Sequence, residues 1–87
     1  MVTKPAVCNL LAGTNTDLLN YLFDDNYNID QAGCISQCKT EAECLCTAWV
    51  ADAENGSAGV CRLWSVPCSE VALGEGYYNW NDIACPS

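Results

Sequence analysis

The chain has 87 residues, with eleven acidic side chains against three basic ones and a formal net charge of −8. This length fits one domain, residues 1–87, with a small core that needs covalent support. The acidity excludes nucleic acid as a partner, and without an apolar run of about 18 residues no membrane insertion is predicted.

The first half of the chain is predicted to hold a strand, an ambiguous segment and a helix. Residues 6–11 are predicted as a strand that ends at a turn over residues 13–15. Residues 16–23 fit either a short helix that begins after Thr16-Asp17 or a strand, and residues 24–28 have the composition of a loop. Asp30 is a favoured N-cap for a helix from Gln31 to about Lys39, which places Cys34 and Cys38 on one face.

The second half is predicted to hold three strands. Residues 44–51 and 60–66 form a hairpin whose reversal lies at residues 52–57, and Pro67 ends the second strand. Residues 75–80 are the third candidate strand. The predicted fold class is α+β, with one central helix packed on a small antiparallel sheet and held by disulfides.

The eight cysteines indicate the cellular compartment. Their even number lets every thiol pair, and such a set persists in an oxidising environment, so we expect a secreted protein. Residues 1–6 lack the apolar segment of a signal peptide, so we expect that a signal has been removed. Asn55 is a candidate glycosylation site in Asn55-Gly56-Ser57, a triplet that is a weak signal by itself.

Three cysteine motifs in order carry a resemblance to a known family. They are Cys34-x3-Cys38, then Cys46-Thr47-Ala48-Trp49, then Cys61-Arg62-Leu63-Trp64. With them, residues 30–64 resemble the PAN/apple family, which has a helix with C-x3-C, a strand with C-x-x-aromatic and a return strand with C-x-L. The chain departs from the family at Trp49, where Phe is usual, at Ala51, where an aromatic is frequent, and in two additional cysteines, Cys44 and Cys68.

The resemblance implies a disulfide pattern and a kind of function. The implied bridges are Cys34–Cys61, Cys38–Cys46 and Cys8–Cys85, which leaves Cys44–Cys68 as the fourth. PAN/apple domains are adhesive modules that bind proteins or carbohydrates. The resemblance therefore implies an extracellular binding module whose partner is a protein or a glycan.

Catalysis and metal binding find little support in the sequence. There is no histidine, and oxidised cysteines cannot act as nucleophiles, so no enzyme is predicted. The sequence lacks the paired cysteine motifs of zinc and iron–sulfur sites, and no cofactor is predicted. Asp24, Asn26, Asn28 and Asp30 alternate like the start of a calcium loop, but Ile29 and Ile35 stand where that loop needs Gly and Glu. Asx turns that lead into the helix N-cap are the favoured interpretation.

The aromatic C-terminal region supplies the ligand-binding candidates. Alternation along a strand places Tyr78 and Trp80 on one face and Tyr77 on the other. The first pair either packs in the core or forms an exposed platform for a sugar, with polar neighbours for its hydroxyl groups. The candidates are Tyr77, Tyr78, Asn79, Trp80, Asn81 and Asp82. The predicted function is recognition of a protein partner, with carbohydrate binding through exposed aromatics as the alternative.

Overall fold

The computed structural model describes residues 7–52 and 58–85 and confirms the predicted α+β class. Five antiparallel strands form one sheet in the order β1-β5-β3-β4-β2. The strands are β1 Leu10–Ala12, β2 Leu22–Ile29, β3 Cys46–Ala51, β4 Gly59–Trp64 and β5 Tyr78–Asp82. The helices are a 3-10 helix at Thr16–Tyr21, α1 at Gln31–Thr40 and α2 at Cys68–Val71. Among the described residues, no helix has the length and apolar character to cross a membrane.

Helix α1 begins where the sequence predicts. The Asp30 carboxylate accepts a hydrogen bond from the Gly33 amide at 2.7 Å and so satisfies one free donor of the first turn. Cys34, Ile35 and Cys38 are buried where the helix contacts β3 and β4. The core on this side of the sheet, which we call the helix face, contains Cys34, Cys38, Cys44, Trp49, Cys61 and Leu63.

The opposite side of the sheet, the tryptophan face, carries a second core. Trp64 and Trp80 are fully buried there, with ring centroids 5.7 Å apart. The Trp80 indole Nε1 donates a hydrogen bond to the Ala12 carbonyl oxygen at 3.0 Å. Cys68 and Val71 of α2 pack against the rings. The sheet therefore has a buried layer on both faces. The structure adds α2 to the predicted helix, and the first part of the ambiguous segment is the 3-10 helix.

Backbone conformation explains why two predicted strands have different bounds. Asn9 has a φ of 54°, which interrupts the extended chain, so β1 begins at Leu10 rather than near residue 6. Gly74 has a φ of 74°, and Gly76 lies directly against Gly13, where a Cβ would collide with the backbone. The chain is therefore still turning through residues 74–76, and the last strand begins at Tyr78 rather than at residue 75.

The prediction of a loop at residues 24–28 is wrong, because these residues lie in β2. Asp24 to Tyr27 pair in regular register with Leu63 to Val60 of β4. The strand is the outermost of the sheet, so its polar side chains remain partly solvated and its composition resembles that of a loop. In the ambiguous segment, residues 16–21 form the 3-10 helix, and its N-cap is Asn15 rather than Thr16-Asp17.

Two of the four implied disulfides are present and two exchange partners. Cys34–Cys61 and Cys8–Cys85 form as implied. The implied pairs Cys38–Cys46 and Cys44–Cys68 are wrong, because the structure has Cys38–Cys44 and Cys46–Cys68.

Strand alternation explains the exchange. Cys46 pairs in register with Trp64, so its side chain points to the tryptophan face and away from α1. There it meets Cys68 of α2. Cys44 precedes the strand, in a turn in which its amide bonds to the Glu41 carbonyl oxygen, and this turn returns it to the end of α1.

Candidate binding surface

The structure separates the six ligand-binding candidates from one another. Trp80 and Asn81 have exposed fractions of 0% and 1%, so neither can contact a ligand. The Asn81 Oδ1 atom accepts a hydrogen bond from the Asn9 amide at 2.9 Å. The Asp82 carboxylate accepts hydrogen bonds from the backbone amides of Val7 and Cys68. These three residues therefore hold the fold together, and the platform of Tyr78 and Trp80 is not formed.

The remaining candidates lie on different faces of the sheet. Tyr77 is 84% exposed, whereas Tyr78 and Asn79 are half-buried. Asn79 pairs with Trp49 and so faces the α1 side, while Tyr78 packs against Trp80 on the opposite side. The predicted glycosylation residue, Asn55, lies outside the described residues.

The side chains that suggest metal ligands are used in other ways. Within residues 7–52 and 58–85, Cys46, Cys68 and Asp82 are the group with suitable spacing, but the two sulfur atoms are joined in a disulfide. Asp24, Asn26 and Asn28 lie along β2, where alternate positions over four residues spread across about 13 Å. The Asn26 side chain donates a hydrogen bond to the Asp24 carboxylate, and the Asp30 carboxylate caps α1, so these two carboxylates already have protein hydrogen-bond donors.

Among the described residues, the exposed large apolar side chains other than Leu45 form two groups, at the two edges of the sheet. At the β1 edge they are Leu10, Leu11, Leu73 and Tyr77, and at the other edge they are Leu19, Tyr21, Phe23 and Tyr27. A depression at the first edge is lined by Leu11, Glu75, Gly76 and Tyr77. The second group contains three aromatic rings and follows a strand of eight residues, whereas β1 has only three.

We call the second surface the β2 edge and define it as Tyr21, Phe23, Asp24, Asp25 and Tyr27. Tyr21, Phe23 and Tyr27 are 45%, 37% and 67% exposed. In the described part of the chain, β2 pairs with β4 on one side and with no strand on the other. The surface therefore combines exposed aromatic rings, two carboxylates and an unpaired strand edge.

Two irregularities in β2 determine which side chains are exposed. The register shifts between Leu22 and Asp24, so Phe23 is an additional residue in the strand and turns to solvent while Leu22 packs against the core. A second shift lies between Tyr27 and Ile29, around Asn28 with a φ of 60°. The strand between these points, Asp24 to Tyr27, is regular.

The charges near β2 are unevenly distributed. The Asp25 Oδ1 atom lies 3.3 Å from Arg62 Nε, and both side chains are about one-third exposed. Solvent limits such a pair to about 0–1 kcal/mol. Asp24 has no cation beside it among the described ion pairs, and its carboxylate accepts a hydrogen bond from the Asn26 side chain at 3.3 Å. The β2 edge is therefore negatively charged.

Beside the β2 edge, part of the tryptophan face is only partly covered. Tyr27, Val60 and Val50 are aligned across three strands on this face, and Arg62 lies in the next row. The Arg62 guanidinium carbon is 5.3 Å from the centroid of the Tyr78 ring. We call Tyr27, Val50, Val60, Arg62 and Tyr78 the open face. It presents two tyrosine rings and one guanidinium group on one face of the sheet.

Sequence reasoning missed the β2 edge because its signal is weak. Alternation separates Phe23, Asp25 and Tyr27 from Leu22, Asp24 and Asn26, but each set mixes apolar and polar residues. Neither set therefore identifies a buried face. The signal that could have located the strand is the pair of flanking apolar residues, Leu22 and Ile29. Leu22 packs against the core of the tryptophan face, and Ile29 packs against the core of the helix face.

Comparisons with models of known protein families, with curated proteins and with solved structures find no match to this chain.

Proposed function

We propose that the chain is a non-catalytic, extracellular binding module that recognises a protein partner through the β2 edge. The observation that carries this proposal is the exposure of Tyr21, Phe23 and Tyr27 along the outermost strand. Aromatic residues are enriched at protein–protein interfaces, and exposed apolar clusters with a polar rim are typical of binding sites.

The framework supports binding rather than catalysis. All eight cysteines are in disulfides, so none offers a thiolate nucleophile, and the sequence has no histidine. Four disulfides are typical of proteins from oxidising compartments, which supports an extracellular location. A cross-linked sheet also holds the exposed rings in place, and this rigidity reduces the entropy lost on binding.

The resemblance to the PAN/apple family remains part of the proposal. The helix-to-hairpin bridge Cys34–Cys61 and the terminal bridge Cys8–Cys85 agree with the family pattern. Cys38–Cys44 and Cys46–Cys68 depart from the implied pairing. We propose a divergent PAN/apple-like domain in which the two additional cysteines have taken over these contacts.

The test compares the two edges of the sheet. We expect the double variant Phe23→Ser/Tyr27→Ser to lose at least about tenfold in affinity for a protein partner, because aromatic anchors contribute most of the binding energy in typical interfaces. The matched control, Leu11→Ser/Tyr77→Ser, removes two apolar side chains at the β1 edge. Leu11 is more exposed than Phe23, and Tyr77 is more exposed than Tyr27. It should change the affinity less than twofold.

The measurement uses the oxidised domain, displayed as a tetramer and screened against a panel of extracellular proteins. Binding is then quantified by surface plasmon resonance, and circular dichroism checks the fold of each variant. Equal losses in the two variants, or no loss in the β2-edge variant, would contradict the assignment of the site to this edge.

Carbohydrate binding is a second candidate, and the open face favours it. Tyr27 and Tyr78 present aromatic rings on the face that carries Arg62 and Asp25. Flat rings suit the apolar side of a sugar, and the charged groups can bond its hydroxyls. This arrangement places the proposed sugar site on Tyr27, Arg62 and Tyr78 instead of on Trp80, which is buried.

The sugar candidate has its own prediction. On a glycan array, the oxidised domain is expected to bind a confined set of glycans, and Tyr78→Ala should weaken that binding about fivefold through loss of one ring contact. Tyr77→Ala is the matched control, because Tyr77 precedes Tyr78 but is highly exposed and apart from the open face. A blank array would eliminate this candidate and leave the protein-binding proposal unaffected.

A further inference from the structure

We propose that the partner contributes an extended segment rich in lysine or arginine, which adds to β2 as a sixth, antiparallel strand. This inference rests on the proposed function of the β2 edge and specifies the chemistry of the partner. Four features carry it: an unpaired strand edge, anchored strand ends, two carboxylates on opposite faces and a negative charge that disfavours self-pairing.

The unpaired edge supplies the backbone groups. Because β2 pairs with β4 on its inner side only, the outward backbone groups of its regular stretch, Asp24 to Tyr27, have no strand partner among residues 7–52 and 58–85. The strand has eight residues, which corresponds to about 26 Å at the usual rise per residue. The three residues of β1 offer a much shorter edge for main-chain pairing.

Side-chain and loop contacts hold both ends of β2 in place. At one end, the Tyr21 carbonyl oxygen accepts hydrogen bonds from the Ser65 amide and hydroxyl. At the other end, the Ile29 carbonyl oxygen accepts a hydrogen bond from the Trp49 indole at 2.8 Å. The regular stretch between these anchors is therefore already extended, and an incoming strand meets a preformed edge.

The charges of the edge indicate a basic segment. Asp24 and Asp25 are consecutive, so their carboxylates lie on opposite faces of the sheet. Among the ion pairs of the described residues, Asp25 has a cation beside it, Arg62, and Asp24 has none. A lysine on the added strand can therefore meet a carboxylate on either face, and each opposite-charge pair across strands contributes about 0.2–1 kcal/mol. The net charge of −8 adds long-range attraction for the same segment.

The same charges disfavour a second copy of this chain as the occupant. The centre of β2 lies between Asp25 and Asn26. Two copies paired antiparallel about this centre would place Asp25 of one chain opposite Asn26 of the other, with each Asp25 diagonal to the Asp24 of the second copy. Each copy also carries a net charge of −8, so two copies repel one another at longer range. The net charge of the chain therefore opposes self-pairing and suits a segment of opposite charge.

The probe for this inference is a blocked octapeptide of alternating lysine and valine, titrated into the oxidised domain and followed by NMR. We expect shifts in the backbone amide signals of Asp24 to Tyr27, and weaker binding when the salt concentration rises from 50 to 300 mM. The matched peptide with glutamate in place of lysine should not bind. If the lysine peptide leaves these signals unchanged at millimolar concentration, the inference is overturned.

Substitutions test the role of the carboxylates. Asp24→Asn/Asp25→Asn is expected to weaken binding of the lysine peptide about five- to tenfold, from the loss of two cross-strand charge pairs and of steering. The control Glu70→Gln/Glu75→Gln removes two exposed acidic groups away from β2 and keeps the net charge change the same. If the control variant weakens binding of the lysine peptide as much as Asp24→Asn/Asp25→Asn does, binding depends on the overall charge and not on the two carboxylates of β2.

Backbone methylation distinguishes strand addition from side-chain docking. In an extended chain, amide groups of alternate residues point to the same edge. N-methylation of alternate residues therefore blocks one edge of the peptide, and the complementary pattern blocks the other. Strand addition predicts that one pattern abolishes binding and the other retains it. Equal effects of the two patterns would overturn strand addition, while the response of the natural partner to Phe23→Ser/Tyr27→Ser would still test the proposed function separately.

Discussion

Removal of the Cys8–Cys85 disulfide, by the double substitution Cys8→Ala/Cys85→Ala, is expected to lower the free energy of unfolding by about 4.5 kcal/mol. The two cysteines are 77 residues apart, so the bridge restricts nearly the whole unfolded chain. In the chain-entropy account, stabilisation grows with the length of the closed loop. The loss would be a large share of the 5–15 kcal/mol that is typical of a native domain.

The matched control for this variant removes the shortest loop. Cys38 and Cys44 are only six residues apart, so Cys38→Ala/Cys44→Ala is expected to cost about 2 kcal/mol. Urea denaturation of both variants, followed by circular dichroism and with the other disulfides intact, measures the two free energies. A larger loss from the short loop than from the long one would show that native-state packing, rather than restriction of the unfolded chain, dominates.

Substitution of Trp80 by Ala is expected to lower the free energy of unfolding by about 3–5 kcal/mol. The ring is fully buried against Trp64, and its truncation leaves a cavity in the core of the tryptophan face. It also removes the hydrogen bond to the Ala12 carbonyl oxygen, which joins β5 to β1. Trp80→Phe retains most of the ring and should cost about 1–3 kcal/mol, chiefly from the unpaired carbonyl group.

The control for the tryptophan variants is Tyr77→Ala. Tyr77 lies three residues before Trp80 but is exposed to solvent, so its truncation should change stability by less than about 0.5 kcal/mol. Chemical denaturation of the three variants provides the comparison. A stability of Trp80→Ala within 1 kcal/mol of the native protein would mean that the ring is dispensable for the core, against the packing described above.

Features with local signals could be predicted from the sequence. Asp30 begins α1 because a short carboxylate side chain reaches the amide three residues later, and this preference is readable in the residue itself. The hairpin of β3 and β4 follows from two strand-forming runs around a polar reversal, and the structure places the strands at Cys46–Ala51 and Gly59–Trp64. These elements fix the α+β class.

Features that depend on distant contacts could not be predicted in this way. β2 is a strand because Leu22 and Ile29 anchor its ends in two different cores, and nothing in residues 24–28 alone indicates this. The partner of Cys46 depends on which face of the sheet its side chain occupies. A shift of one residue in the strand register would turn this side chain to the other face. The burial of Trp80 depends on α2, a helix of only four residues.

The bridge between Cys8 and Cys85 has a mechanical consequence. It joins Cys8, two residues before β1, to the turn that follows β5, so both ends of the described chain leave from one covalent junction. A pulling force applied outside the two cysteines would pass through the sulfur–sulfur bond, and the hydrogen bonds between strands would carry no load. Under oxidising conditions the sheet and its exposed β2 edge would therefore keep their shape under tension, and reduction of this single bond would make the fold extensible.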